Sequence, residues 1–150
     1  MQCEHIAGTV VMMIRSYSEL VKFTSFVDRF NYLKLGGTVG ADTFGFERYL
    51  NQVFYKSPEW RRARDIVILR DNGCDLGVPG HEILKFPIVH HLNPISIDDI
   101  RNRNPEIFDP EFLILTVLKT HNAIHYGDDS ILLLNRPVER TKNDTIPWRR

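Results

Sequence analysis

Four of the chain's six histidines fall in two tight groups, His90-His91 and His121-Asn122-Ala123-Ile124-His125. The first pair follows the apolar run Phe86-Pro87-Ile88-Val89, which places it at the end of a β-strand. The second pair is spaced i, i+4, so its imidazoles share one face if the stretch is helical. A fold that uses the two groups together must bring a strand end against a helix. Neutral imidazole is a ligand for borderline divalent metals. Neighbouring residues on a strand point to opposite faces, so His90 and His91 do not easily share one ion. One of them can join the helical pair on a metal, which leaves its neighbour free to take a proton from water. Three protein ligands with open positions make a catalytic site, and a closed set of four a structural one. Spacing alone leaves both open. Phosphodiester hydrolysis is the task such an arrangement suits, because the ion can polarise an anionic oxygen and stabilise a leaving group.

At 150 residues the chain has the length of one domain with a modest core. Its formal net charge is zero, so nucleic-acid binding has to come from local patches. No apolar run approaches the roughly 20 residues that cross a bilayer, and the first residues lack the basic opening of a signal peptide. Two cysteines, Cys3 and Cys74, do not make a disulfide framework. A cytoplasmic protein with no membrane partner is expected.

Residues 1–13 read as a disordered leader, with Met13 a candidate start. Ser16–Phe23 and Ser25–Leu35 read as short helices, the second capped by Ser25 and stopped by Gly36-Gly37. The aromatics Phe44, Phe46, Tyr49, Phe54 and Tyr55 read as core. Ser57-Pro58-Glu59-Trp60 is a sharp helix start, with a capping serine, proline at the first position and an acid in the first turn. That helix runs to about Arg70 and ends at Asp71-Asn72-Gly73. Residues 74–93 read as β: a short first strand, a loop through Gly77, Pro79 and Gly80, then Ile83–Leu92. Ser96 caps a short helix, Ile97–Arg101. The run Leu113–Leu118 is too short to type. Thr120 is a candidate cap for the helix that carries His121 and His125, and Gly127 stops it. From Leu132 onward the chain reads as extended.

The stretch from Ile88 to Ile95, then Asp109-Pro110-Glu111-Phe112-Leu113-Ile114, then Thr120 to Asp128, resembles the HNH endonucleases of the ββα-metal superfamily. Glu59-Trp60-Arg61-Arg62 and Arg70-Asp71-Asn72-Gly73-Cys74 look like the approach to that motif. The likeness covers about residues 57–128. The chain from Tyr17 on, with Asn143-Asp144-Thr145 and Pro147-Trp148-Arg149, looks like a small bacteriophage branch of the family.

The resemblance implies an α+β fold: N-terminal helices, a ββα-metal hairpin-plus-helix core, and an extended C-terminal tail. On that reading residues 14–150 form a single nuclease domain, helical over 14–72, with its core at 73–128 and its tail at 129–150. His91 would be the general base. His90, His121 and His125 would bind one divalent ion, Mg²⁺, Mn²⁺, Ni²⁺ or Zn²⁺. Asn93, Asn122 and Asp128 would support the loop and the ligands, although Asp128 and Asp129 also read as a polar loop. The family's usual loop-fixing asparagine would fall at Phe112. Its job then passes to backbone, Asn93 or Asn122, or activity is reduced. Relatives often carry a two-pair cysteine zinc knuckle. Here Cys74 is followed by Gly77, Val117 and Thr120 at the other three positions, so no structural zinc is expected.

The implied activity is metal-dependent endonuclease cleavage, nicking duplex DNA. Arg61, Arg62 and Arg64, with Arg101 and Arg103, and Arg140 and Arg149 in the tail, are candidate phosphate contacts that position DNA without reading bases. They are equally readable as solvated charge. The implied partners are DNA and, in a phage, the packaging machinery; the oligomeric state is left open. A non-catalytic nucleic-acid-binding module with a structural metal is the alternative, and an interaction subunit of a phage assembly the third reading.

Overall fold

A computed structural model describes residues 13–35 and 48–133. It is a mixed α+β structure with two small antiparallel sheets. Helices α1 (Tyr17–Leu20), α2 (Phe26–Leu33), α3 (Arg48–Lys56) and α4 (Pro58–Arg70) come first. Serine side chains cap three of them: Ser16 accepts from the Glu19 amide, Ser25 from Asp28 and Ser57 from Trp60. The first helix is shorter than Ser16–Phe23. On α4, Trp60, Ala63 and Val67 are buried while Ile66 and Leu69 are exposed. Of the aromatic segment, Phe54 is core but Tyr49 and Tyr55 are exposed; Phe44 and Phe46 lie outside the described residues. So do the leader up to residue 12, Gly36-Gly37, and the tail from residue 134 with Arg140 and Arg149.

Strands β1 (Cys74–Asp75) and β2 (His81–Glu82) pair with each other, and β3 (Ile88–His91) pairs with β4 (Leu113–Thr116). The single strand expected over Ile83–Leu92 is therefore broken. Phe86 adopts a left-handed φ of 53°, and Pro87 has no N–H for a ladder, so pairing cannot run through them. Between β3 and β4 come α5 (Ile97–Arg101), with a full Ser96–Asp99 capping box, and two 3₁₀ turns, Pro105–Phe108 and Pro110–Phe112. Helix α6 (Leu118–Tyr126) follows β4 directly and ends at Gly127, whose φ of 65° gives the left-handed cap expected there. A Cβ on Gly127 would also meet the Leu35 carbonyl. Residues Ser130–Leu133 then form α7, so the tail does not begin as an extended segment.

The β3–β4 pair divides two buried clusters. Leu20, Phe30, Leu33, Leu92, Ile114, Ala123 and Ile124 pack on one side; Phe54, Trp60, Ala63, Val67, Ile107, Leu113 and Leu115 pack on the other. All four residues of β4 are buried, which explains the unbroken apolar run: a strand covered on both faces has no polar side. Register matches His90 to Ile114 and His91 to Leu113. The two histidines therefore enter different halves of the interior.

Two buried acids hold the hairpin in place. Asp71, expected only as a turn residue, accepts from the Leu115 amide at 2.8 Å and pairs with Arg70. The Arg70 guanidinium also donates to the Pro110 and Leu113 carbonyls and lies over the Tyr17 ring. Asp75 joins the turn after β1 to the start of α6 through the Gly77 and Val117 amides and the Thr120 hydroxyl. Thr120 is thus no cap. The helix begins at Leu118 without a side-chain cap, and the hydroxyl is committed to Asp75. Among the described residues no helix is long and apolar enough to cross a membrane.

Candidate metal centre

His90 leaves β3 on the α6 side and meets His121 and His125, one helical turn apart. One ring nitrogen from each of the three lies within 4.8 Å of the others, close enough to hold a metal ion. His90 is edge-on to both partners, with ring centroids 5.3 Å from His121 and 4.9 Å from His125. The Nε2 atoms of His121 and His125 face each other at 3.1 Å. Two lone pairs at that distance repel unless a proton or a cation lies between them. Nitrogens sharing a tetrahedral ion at about 2.0–2.1 Å stand roughly 3.3–3.4 Å apart. The observed spacing is that of an N–H···N hydrogen bond, a few tenths of an ångström short of a shared ion's.

His90 is 1% exposed, and both its ring nitrogens are buried with no hydrogen-bond partner among the described residues; Nδ1 of His125 is likewise unpaired. Leaving such groups unsatisfied costs about 1–3 kcal/mol each. Coordination to a cation would relieve part of that cost. The Nδ1 atom of His121 makes a long contact of 3.4 Å with Asn122 Oδ1, which favours the tautomer with Nε2 as the ligand atom.

Burial holds all four imidazoles in the neutral, ligating form. It pushes His90 well below the ordinary histidine range, helped by the neighbouring histidines and Arg15. Desolvation also lowers His121, and it takes His125 down to about 4 with His121 adding to the effect. In the unfolded chain these groups take up protons near pH 6.5. Between that pH and about 4 the unfolded state therefore binds more protons than the folded one, and folding stability falls with falling pH. Thermal unfolding of the metal-free protein is expected to be flat above about pH 6.5 and to lose midpoint temperature steadily below it. An unchanged midpoint down to pH 5 would contradict this.

His91 leaves the strand on the α4 side. Its ring stacks on Trp60, with centroids 5.1 Å apart and planes 19° apart, and lies 5.9 Å from Phe54. Nε2 is 3.0 Å from the Ile107 carbonyl, which can only accept, so Nε2 carries the proton and Nδ1 keeps the lone pair. Burial pushes His91 down to about 4 even though the Ile107 bond acts the other way.

The residue that fixes this loop is Asn104, which sequence reasoning missed. Its Nδ2 donates to Asp99 Oδ1, its Oδ1 accepts from the Glu106 amide, and its carbonyl accepts from Ile107 N. Asn104 thereby sets the carbonyl that orients His91. Asn104-Pro105 is a readable turn start, but nothing local says that it lies behind His91. Phe112 accepts from Leu92 N through its carbonyl and lines a small recess shared with His91 and Asn104.

Asn93 does not support the loop either. It bonds the Arg15 backbone through both side-chain atoms and so ties the N-terminal segment to the site. The Asp128 carboxylate is turned to the start of α7, where the Ser130 hydroxyl and then its amide lower the pKa.

The four histidines open onto one cleft of about 370 Å³, shared with Asn93, Asn122, Tyr55 and Tyr126. No Arg, Lys, Asp or Glu is among the described residues that line it. Arg61 and Arg62 are exposed and Arg64 half-buried on α4, and none of the three borders the cleft. Arg103 pairs with Glu59, and Arg101 lies 3.9 Å from Asp98. Cys74 is a half-buried thiol. A Cβ on Gly77 would come within 2.4 Å of the Thr120 methyl, so those two positions pack directly on each other. No known protein family, curated protein or solved structure matches this chain.

Proposed function

We propose that this chain is a metal-dependent endonuclease of the HNH type, hydrolysing phosphodiester bonds in DNA. One observation carries the reading: three histidines from a strand and a helix converge on a point suited to an ion, and a fourth, from the next strand position, opens onto the same cleft with its Nε2 anchored on the Ile107 carbonyl. His90, His121 and His125 are the ligands. Three imidazoles, with no carboxylate among the described residues that line the cleft, favour Zn²⁺, Ni²⁺ or Mn²⁺ over Mg²⁺, which prefers oxygen. A bound ion would neutralise charge on the scissile phosphate and on the departing oxygen. His91 takes the proton from the attacking water on Nδ1, while the Ile107 carbonyl and the Trp60 ring keep the imidazole in place. Phage packaging proteins remain the partners the resemblance suggests.

The alternative is a non-catalytic nucleic-acid-binding module with a structural metal. The depth of His91 favours it, because a base held near 4 is a weak proton acceptor at neutral pH. Supercoiled plasmid separates the two. Conversion to nicked circles with Mn²⁺, Ni²⁺ or Zn²⁺, abolished by chelator, is the expected result. A folded, metal-loaded protein that leaves the plasmid supercoiled would support the binding module.

A further inference from the structure

The walls of the cleft carry information about what enters it. Intact duplex offers mainly phosphates at its surface, and proteins that grip it do so with Lys and Arg. The described walls hold no such side chain. Beside the histidines and neutral polar side chains such as Asn93 and Asn122 they carry aromatic and apolar groups, among them Tyr55, Ile100 and Tyr126, which follows His125 in the chain. Tyr126 is 67% exposed, and Tyr55, 48% exposed, packs edge-to-face against Phe54 and Trp60. The volume of about 370 Å³ lies at the small-ligand end of the ~300–1,000 Å³ common for such clefts, the scale of one small molecule rather than a helix. Exposed rings flanking a neutral cleft recognise the faces of bases, which are accessible only when a base is unstacked.

We propose that the cleft admits an unstacked nucleotide, with Tyr126 and Tyr55 as stacking surfaces, so that the preferred substrate is single-stranded or locally opened nucleic acid. The proposal rests on the nuclease reading of the same site and narrows its substrate. DNA and RNA share the base face, and the assay distinguishes them.

The test is binding, measured apart from cleavage. Fluorescein-labelled oligothymidylate, oligouridylate and a fully paired DNA hairpin are titrated with the Zn²⁺-loaded protein, as wild type, Tyr126→Ala and Tyr126→Phe. Because Tyr126 is exposed, both variants should fold, and circular dichroism checks this. The expected result is tighter binding of a single strand than of the hairpin. Tyr126→Ala should lose roughly 5- to 150-fold in single-strand affinity, the range seen for loss of one base–aromatic stack, and Tyr126→Phe should keep it. Preference for oligothymidylate assigns DNA, and preference for oligouridylate assigns RNA. Equal or tighter binding of the hairpin overturns the proposal, as does unchanged affinity in Tyr126→Ala. Single-strand preference without cleavage of any substrate would refute the nuclease reading and leave this one standing. Plasmid nicking without single-strand preference would do the reverse.

Discussion

His91→Ala is expected to bind its metal as the wild type does and to cleave about 10²- to 10⁴-fold more slowly, the range for removal of a positioned general base. The separation follows from the register of β3. His90 and His91 are adjacent, but one faces α6 and the ligands while the other faces α4 and the Ile107 carbonyl. Deleting the second imidazole removes a stacking partner of Trp60 and leaves the three ligating nitrogens in place. Parallel assays of plasmid nicking and Zn²⁺ affinity read the two effects independently. Full cleavage by purified His91→Ala, free of contaminating nuclease, would remove His91 from the mechanism. Loss of metal affinity in the same variant would mean that His91 belongs to the ligand set.

The second large effect is structural. Asp75 is 1% exposed and accepts four hydrogen bonds: from the Gly77 amide at 2.8 Å, Val78 at 3.3 Å, Val117 at 3.1 Å and the Thr120 hydroxyl at 2.5 Å. Burial raises its pKa while each of these bonds pulls it down. Every partner is a donor, so the carboxylate is the form the pocket is built for. The residues it joins include Gly77, Val117 and Thr120, three of the positions at which the resemblance to HNH endonucleases would place the cysteines of a zinc knuckle. A hydrogen-bonded acid thus ties together the two segments that a knuckle would join. In Asp75→Ala the Gly77 and Val117 amides lose their partner, at about 1–3 kcal/mol for each buried group. The two together, about 2–6 kcal/mol, are a large share of the ~5–15 kcal/mol of a typical domain. The expected fall in unfolding midpoint is about 10 °C or more. Asp75→Asn should not rescue it fully, since its NH₂ would oppose a donor. A midpoint within a degree or two of wild type would show that the clasp carries no weight.

Local signals were legible in the sequence. Ser25, Ser57 and Ser96 cap the helices their positions imply, because a cap is decided within three residues. Gly127 ends α6 for the same reason. The division between His90 and His91 followed from strand alternation. What sequence reading missed depends on residues far apart in the chain. Thr120 looks like a cap but bonds Asp75, 45 positions away. Asn93 looks like a loop-fixing residue but holds Arg15, 78 positions away. Asn104 carries no mark of its position behind His91. Leu113–Thr116 could not be typed because a strand buried on both faces shows no alternation. The arginines of α4 were attractive by charge alone, and charge does not say which way a helix faces.

His90, His121 and His125 lie close enough to hold one metal ion. The most direct test is calorimetric titration of the metal-free chain with Zn²⁺ at neutral pH, wild type beside His121→Ala. One ion is expected per wild-type chain, with a loss in His121→Ala exceeding the roughly 10- to 100-fold that follows removal of a group that only supports a ligand. Equal affinity in the two proteins, or no saturable binding by the folded wild type, would contradict a site shared by the three.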